Sequence, residues 1–190
     1  MICAGLVLAA GQSRRFGAAN KLLAPVRGLP LCAHACQTML HAPCDLRIAV
    51  VSDPAVGEIF RQAGFDEIVL LGGAPVQSDS LRAGTEVAER AGAAFLLVSL
   101  ADMPNVPSAH LETLLQRRET GPAASFDGEK TLPPAVFPAR YFAQLRALTG
   151  DRGAGALIRD LPEPQRVPLP PDASMDVDTP EDLTRLAGKT

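Results

Sequence analysis

Two apolar runs, Ile48-Ala-Val-Val-Ser52 and Phe95-Leu-Leu-Val-Ser99, stay continuous until a closing serine and lie between amphipathic stretches. A strand with one wet face alternates polar and apolar residues, whereas a continuous run marks a strand covered on both faces. Such strands need helices on both sides of the sheet. The strand–helix alternation therefore implies a parallel, doubly wound α/β sheet with right-handed crossovers. The patterning predicts strands over 3–9, 46–52, 67–71, 94–100, 122–126, 132–137 and 173–178. It predicts helices over 30–41, 54–63, 79–91, 107–118, 138–148, 153–160 and 180–187. The 190 residues suit a single domain over 1–190.

The tract Leu161-Pro-Glu-Pro-Gln-Arg-Val-Pro-Leu-Pro-Pro171 is too rich in proline for a central strand. It reads as an extended connector, at most an edge strand. Residues 2–10 are apolar or glycine but have no basic segment before them, which argues for a buried first strand rather than a signal peptide. The expectation is a cytoplasmic protein. A net charge of −3 gives no basis for a broad nucleic-acid or membrane surface, so any anion site is local.

Cys3, Cys32, Cys36 and Cys44 form no CxxC pair and read as buried small apolar residues. His34, His41 and His110 are scattered at helix surfaces or core edges and receive no role.

The first 21 residues carry more chemistry. In Leu6-Val-Leu-Ala-Ala-Gly-Gln-Ser-Arg-Arg-Phe-Gly17 an apolar strand stops at a small-residue, doubly basic loop, and Lys21 follows. Small residues at Ala9, Ala10 and Gly11 let the backbone approach a ligand, and exposed N–H groups bind anionic oxygens. Arg14, Arg15 and Lys21 add fixed charge. The loop is neither a Walker P-loop nor a dinucleotide fingerprint, since Gly-Lys-Ser/Thr and G-x-G-x-x-G are both missing.

Asp102 ends the apolar run that starts at Phe95, where ligands bind in open α/β sheets. Pro104 and Pro107 separate it from the next helix, for which Ser108 is the expected cap. Near the C-terminus, Thr179, Pro180 and Asp182 form an approximate capping box. Asp176 and Asp178 precede the cap and share one face of an extended stretch, with Val177 on the other. Mg²⁺ favours one or two carboxylates plus phosphate oxygens and water. Asp102 and Asp178 are the expected ligands.

No nucleophilic triad is visible, and none is needed if the attacking group is a phosphate. A phosphomonoester loses its second proton near pH 6, about one unit below neutral. Its oxygen can attack the α-phosphorus of a nucleoside triphosphate directly. The protein then supplies positioning, Mg²⁺ and cations for the departing pyrophosphate.

These motifs resemble the MobA/MocA-like nucleotidyltransferases. Leu8-Ala-Ala-Gly-Gln-Ser-Arg-Arg-Phe-Gly17 with Lys21 is similar to the family's signature loop. Ser80-Leu-Arg-Ala-Gly84 is similar to its base-side segment, and Leu100-Ala-Asp-Met-Pro104 to its metal motif. Gly150-Asp-Arg-Gly-Ala154 and Asp176-Val-Asp-Thr-Pro-Glu-Asp182 are similar to the motifs that close its domain. The resemblance implies a Rossmann-like, mostly parallel sheet flanked by helices, of the nucleotide-diphospho-sugar transferase type. It implies Mg²⁺-dependent nucleotidyl transfer with release of pyrophosphate. Arg15, Lys21 and Asp102 would then be catalytic. Leu8, Ala9, Ala10, Gly11, Ser13, Arg14, Gln77, Ser78 and Ser80 would meet the nucleotide.

Within the family, Ala9-Ala10-Gly11 looks like the branch that transfers CMP from CTP to molybdopterin-type cofactor, which implies a molybdoenzyme or its chaperone as a partner. The guanylyl branch usually has Gly-Gly at 10–11. Three departures bear on the substrates. The serine triplet of the cytidylyl branch is here Ser78-Asp79-Ser80, its Gly-His-Pro is replaced by Thr131-Leu-Pro-Pro134, and the arginine after Ala154 is Gly155. Another triphosphate or acceptor stays open, as does a non-catalytic protein that handles molybdenum cofactor. Gly150-Asp151 reads equally as a family motif and as a plain loop and cap.

Overall fold

The structure is a computed structural model that describes residues 1–11, 16, 20–150 and 153–187. The first strand, β1 (Cys3–Ala9), is buried along its whole length. Its residues alternate between two cores. Cys3, Val7 and Ala9 pack on one side of the sheet, and Ala4, Leu6 and Leu8 on the other. Two glycines explain how closely helices press on it. A Cβ on Gly5 would lie 2.4 Å from Met39 Sδ, and one on Gly84 2.4 Å from Leu6 Cδ1.

After β1 come a 3₁₀ turn at Lys21–Leu23 and a tight hairpin, β2 (Pro25–Val26) and β3 (Leu29–Pro30). Arg27 and Gly28 both take positive φ at its tip, 48° and 81°, as a mirror-type two-residue turn requires. Patterning misses this hairpin because its strands are two residues long.

The chain continues through α1 (Leu31–His41), β4 (Leu46–Val51), α2 (Pro54–Ala63), β5 (Glu67–Leu70), α3 (Gln77–Arg90) and β6 (Phe95–Leu100). Then follow α4 (Ser108–Gln116), β7 (Ala123–Phe126), β8 (Thr131–Pro138), α5 (Phe142–Ala147), α6 (Gly155–Ile158), β9 (Arg166–Pro168) and α7 (Pro180–Ala187). Among the described residues the main sheet has the order β5-β4-β1-β6-β8-β7-β9. Buried residues of α1, α2, α4 and α7 cover one face. Those of α3, α5 and α6 cover the other. This is the doubly wound α/β architecture that the patterning implies.

The sheet is mostly parallel, as the resemblance implies, but not wholly so as strand–helix alternation alone suggests. β8 runs antiparallel to both β6 and β7. Asp127-Gly-Glu-Lys130 is too short for a parallel crossover, which takes a dozen or more residues. Asp127 Oδ1 accepts the N–H groups of Glu129 and Lys130, both at 2.9 Å, and closes that hairpin. The pairing slips between Ala124 and Ser125, opposite Pro133 and Pro134, which have no N–H to give the ladder.

The proline-rich tract supplies β9, which lies at the sheet edge and pairs with β7 alone. No strand forms at 173–178. That segment is tied to the turn after β6 by the Val177 N–H, which donates to the Asp102 carbonyl at 3.0 Å. Turns at its start consume the Ala173 and Ser174 N–H groups on the Pro170 carbonyl. The alternation still holds, with Val177 fully buried and Asp176 exposed.

All four cysteines are buried and unbridged, as their spacing suggests. Cys3 and Cys44 come together, Sγ to Sγ, at 4.0 Å. His110 is buried rather than at a surface, and its Nε2 bonds Ser125 Oγ at 2.8 Å.

Candidate active site

The order of the strands fixes where a ligand goes. From β1 the chain first winds outward through β4 and β5, then returns to place β6 on the other side of β1. The crevice at the carboxyl ends of β1 and β6 is thus the switch point of the sheet, the usual ligand position in this architecture. A cavity of about 310 Å³ opens there. Leu8, Ala9, Ala10 and Gly11 form one wall, and Pro75, Val76, Gln77 and Ser80 at the start of α3 form another. Lys21, Leu22, Leu100 and Asp102 complete it.

Each wall has a local cause. A Cβ on Gly11 would meet nothing within 4 Å among the described residues. Gly11 itself lines the cavity. α3 begins two residues earlier than the patterning predicts, at Gln77. Asp79 Oδ2 accepts the Val76 N–H at 3.1 Å and fixes that first turn. Gln77 and Ser80, three residues apart, share a helix face and both reach the cavity. Ser78 is turned away and fully buried. Its N–H donates to the Gly150 carbonyl at 3.2 Å. Gly150 therefore has a docking role at the start of α3, and Asp151 lies outside the described residues.

Lys21 occupies the floor. Its Nζ donates to Asp102 Oδ2 at 2.8 Å, to Asp178 Oδ1 at 3.0 Å and to the Val177 carbonyl at 2.7 Å. Burial alone lowers a lysine pKa. Here the Asp102 and Asp178 carboxylates outweigh it and hold the ammonium above its usual value. The sequence motifs thus assign Lys21 and Asp102 to different partners, phosphate and metal, and the structure joins them to one another. Asp176 stands nearby. Partial desolvation of its carboxyl, then the charges of Asp102 and Asp178, push its pKa upward.

Sequence reasoning missed Asn20 and Asp53, which hold the Lys21 turn. Asn20 Oδ1 accepts the Leu22 N–H at 3.0 Å, and Asn20 Nδ2 donates to Asp53 Oδ2 at 2.9 Å. Asp53 also caps α2 through the Ala55 N–H at 2.8 Å. The Asn20 bond, then the Ala55 N–H, hold its carboxyl below the usual range. The readable signal was the Asp53-Pro54 pair, a cap followed by proline at the first helical position. Ser108 in contrast is no cap, since α4 starts at Ser108 itself with no side-chain cap bond at its N-terminus. Thr179 and Asp182 do form the expected box. The Thr179 N–H donates to Asp182 Oδ2 at 2.9 Å and the Asp182 N–H to Thr179 Oγ1 at 3.3 Å. Ser13, Arg14 and Arg15 lie outside the described residues.

One atom tests whether a divalent cation suits this end of the site. Asp102 Oδ1 is buried and has no hydrogen-bond partner among the described residues. A buried carboxylate oxygen without a donor is costly, and a hard cation would satisfy it. Among the described residues no three His, Cys, Asp or Glu groups converge into a ready metal cage. Asp102 and Asp178 suit Mg²⁺, which favours one or two carboxylates and takes its remaining ligands from phosphate and water.

A second cavity, about 610 Å³, adjoins the first, and both are lined by Gln77 and Leu100. Pro133, Gly153, Gly155, Ala156, Arg159 and Asp160 form its other walls. Gly153 lies directly under Gln77, so close that a Cβ there would sit 2.5 Å from Gln77 Cδ.

Comparison with known proteins decides the family. The MobA-like NTP transferase domain matches residues 5–167. The chain belongs to that family. As a MobA-like nucleotidyltransferase it is 31% identical over 165 residues to the purine catabolism protein PucB of Bacillus subtilis strain 168, covering 82% of this chain and 80% of PucB. Rv0371c of Mycobacterium tuberculosis H37Rv superposes with a TM-score of 0.83 at 25% identity over the whole of both chains. A manganese complex of Rv0371c gives 0.81 at 22% identity, also over the whole of both chains. A CMP:2-keto-3-deoxy-manno-octonic acid synthetase complexed with CTP shares the fold, with a TM-score of 0.74 at 15% identity over 99% of this chain and 98% of its own. No helix among the described residues is long and apolar enough to cross a membrane.

Proposed function

We propose that this MobA-like transferase moves CMP from CTP to the terminal phosphate of a molybdopterin-type cofactor, as a single domain over 1–190 in the cytoplasm. The observation that carries the reading is Asp102, which has a partnerless carboxylate oxygen and lines the cavity of about 310 Å³ at the switch point of the sheet. The base and ribose lie against Gln77 and Ser80, and the phosphates against the backbone of Leu8, Ala9, Ala10 and Gly11. Ser13, Arg14 and Arg15 serve the phosphates. Ser78 acts by anchoring α3, at one remove from the nucleotide. The methyl group of Ala10 narrows the pocket on the base side and favours a pyrimidine.

Asp102 and Asp178 are the residues that would hold Mg²⁺. A divalent cation held there would supply positive charge against that of the departing pyrophosphate. The acceptor sits in the adjoining cavity, with Arg159 as its cation and Asp160 as an acceptor for ring N–H groups. An oxygen of the acceptor phosphate bonds to the α-phosphorus, and the bond from that phosphorus to the bridging oxygen breaks. The electron pair leaves with pyrophosphate. No general base is required, because the acceptor oxygen is already ionised at neutral pH. The product passes to a molybdoenzyme or its chaperone. CTP bound to a distant relative with this fold supports the choice of nucleotide, and manganese bound to Rv0371c supports a divalent cation.

The test is thermal unfolding with CTP, GTP, ATP and UTP, with and without Mg²⁺, followed by pyrophosphate release with the cofactor present. A ligand at 100 times its Kd raises stability by about 2.7 kcal/mol. CTP alone should give that shift, and EDTA should abolish release. A shift with GTP instead reassigns the nucleotide, and binding without release makes the protein a carrier.

A further inference from the structure

Lys21 is placed between the two carboxylates that this reading gives to the metal. An ammonium has three N–H donors, and those of Lys21 go to Asp102 Oδ2, Asp178 Oδ1 and the Val177 carbonyl. The side chain is only 9% exposed. The ammonium thus sits against one oxygen of each of the two carboxylates, Asp102 and Asp178, that would hold a divalent cation.

We propose that Lys21 and the divalent cation use the Asp102–Asp178 pair in turn. The lysine ammonium is a built-in stand-in for the metal, and metal entry releases it toward the nucleotide cavity. The inference rests on the metal role given to Asp102 and Asp178 above. Three features of the chain carry it. An ammonium and a divalent cation held by the same two carboxylates would lie at contact distance and repel strongly, whichever oxygen of Asp102 the cation takes. The turn that bears Lys21 is fixed independently of its ammonium, by Asn20 on the Leu22 N–H and on Asp53, and by Leu22 at 3% exposure in the core. The side chain can therefore leave while the turn stays. Its destination is at hand, because Lys21 also lines the cavity walled by Leu8, Ala9, Ala10 and Gly11. A flexible four-carbon stem suits such a move. One charge thereby serves twice. It keeps Asp102 and Asp178 from repelling each other, and it meets the triphosphate once the metal takes its place.

Two measurements without nucleotide test this. Mn²⁺ is titrated into wild type, Lys21→Met and Asp102→Asn, with free Mn²⁺ read by electron paramagnetic resonance. Lys21→Met should bind Mn²⁺ at least tenfold more tightly than wild type, and Asp102→Asn more weakly. In wild type, reductive methylation read by mass spectrometry should modify Lys21 several-fold faster once Mn²⁺ is saturating, while Lys130 keeps its rate. Unchanged or weaker binding by folded Lys21→Met overturns the exchange, as does a Lys21 rate indifferent to bound Mn²⁺. If Lys21→Met does not fold, the wild-type labelling decides alone. Wild-type binding lost in Asp102→Asn, with no gain in Lys21→Met, sinks the exchange but keeps the metal site. No binding by any folded variant sinks both.

Discussion

Gly84 of α3 lies against Leu6 of β1 with no room for a methyl group between them. A Cβ on Gly84 would sit 2.4 and 2.5 Å from the two Leu6 methyls and 3.0 Å from Leu6 Cγ. Leu6 is fully buried, so it has nowhere to retreat. This contact sets the distance between α3 and the sheet, and with it the width of the cavity that both elements wall.

Gly84→Ala should destabilise the fold despite the better helix propensity of alanine. Overpacking costs about 1–3 kcal/mol, against a propensity gain of about 1 kcal/mol. A net loss near 1 kcal/mol is expected in urea unfolding. The double variant Leu6→Ala/Gly84→Ala should cost less than the sum of the single changes, because the methyl fills the space that Leu6 leaves. Strict additivity would show that the contact is not the cause.

Asp102→Asn preserves shape and removes the charge that faces Lys21. Pyrophosphate release should fall at least about 100-fold, the scale seen when one preorganised electrostatic partner is lost. Apparent Mg²⁺ affinity should fall with it. Activity within about threefold of wild type would move the metal role elsewhere, with the partnerless Oδ1 left unexplained.

Much of this was legible because the relevant signals are local. The run Phe95–Leu100 ending near Asp102, and Thr179 three residues before Asp182, each carry their meaning within a few positions. The β7–β8 reversal was not read, because strand–helix alternation points to parallel strands, although the shortness of Asp127-Gly-Glu-Lys130 carries the signal. What stayed hidden depends on long separations. Lys21 and Asp102 are 81 residues apart, and residue type alone suits Lys21 equally to a phosphate or a carboxylate. The segment at 173–178 alternates like a strand but has no partner strand, since β8 already takes the free side of β6. Periodicity reports which residues face inward, not whether a neighbour exists to complete the ladder.

His110 should make stability depend on pH below neutrality. It is buried, and desolvation lowers its pKa from 6.5 to about 4. The folded state therefore prefers the neutral ring. Its contribution is complete above pH 6.5 and is lost as pH falls from there toward 4, where the unfolded chain binds the extra proton. The full loss is on the order of 3 kcal/mol at about 1.4 kcal/mol per unit. His110→Gln keeps a donor for Ser125 Oγ but cannot titrate. The difference in unfolding free energy between the two proteins should shrink from pH 7.5 to pH 4.5. Parallel curves would show that His110 does not titrate in this interval.

Gly153→Ala separates stability from function at the join of the two cavities. The added methyl would meet the end of the Gln77 side chain, 2.5 Å from both Cδ and Oε1. That group is flexible and can swing aside, so the fold should lose little, with the midpoint of thermal unfolding within a few degrees of wild type. Gln77, however, lines both cavities. Its displacement should raise KM for the triphosphate or the acceptor several-fold while kcat changes less, the signature of lost binding rather than lost chemistry. Replacing Gln77 itself by alanine in the Gly153→Ala background should then add almost nothing. A further large loss in the double variant would show that Gln77 still holds its place, and that Gly153 acts by another route.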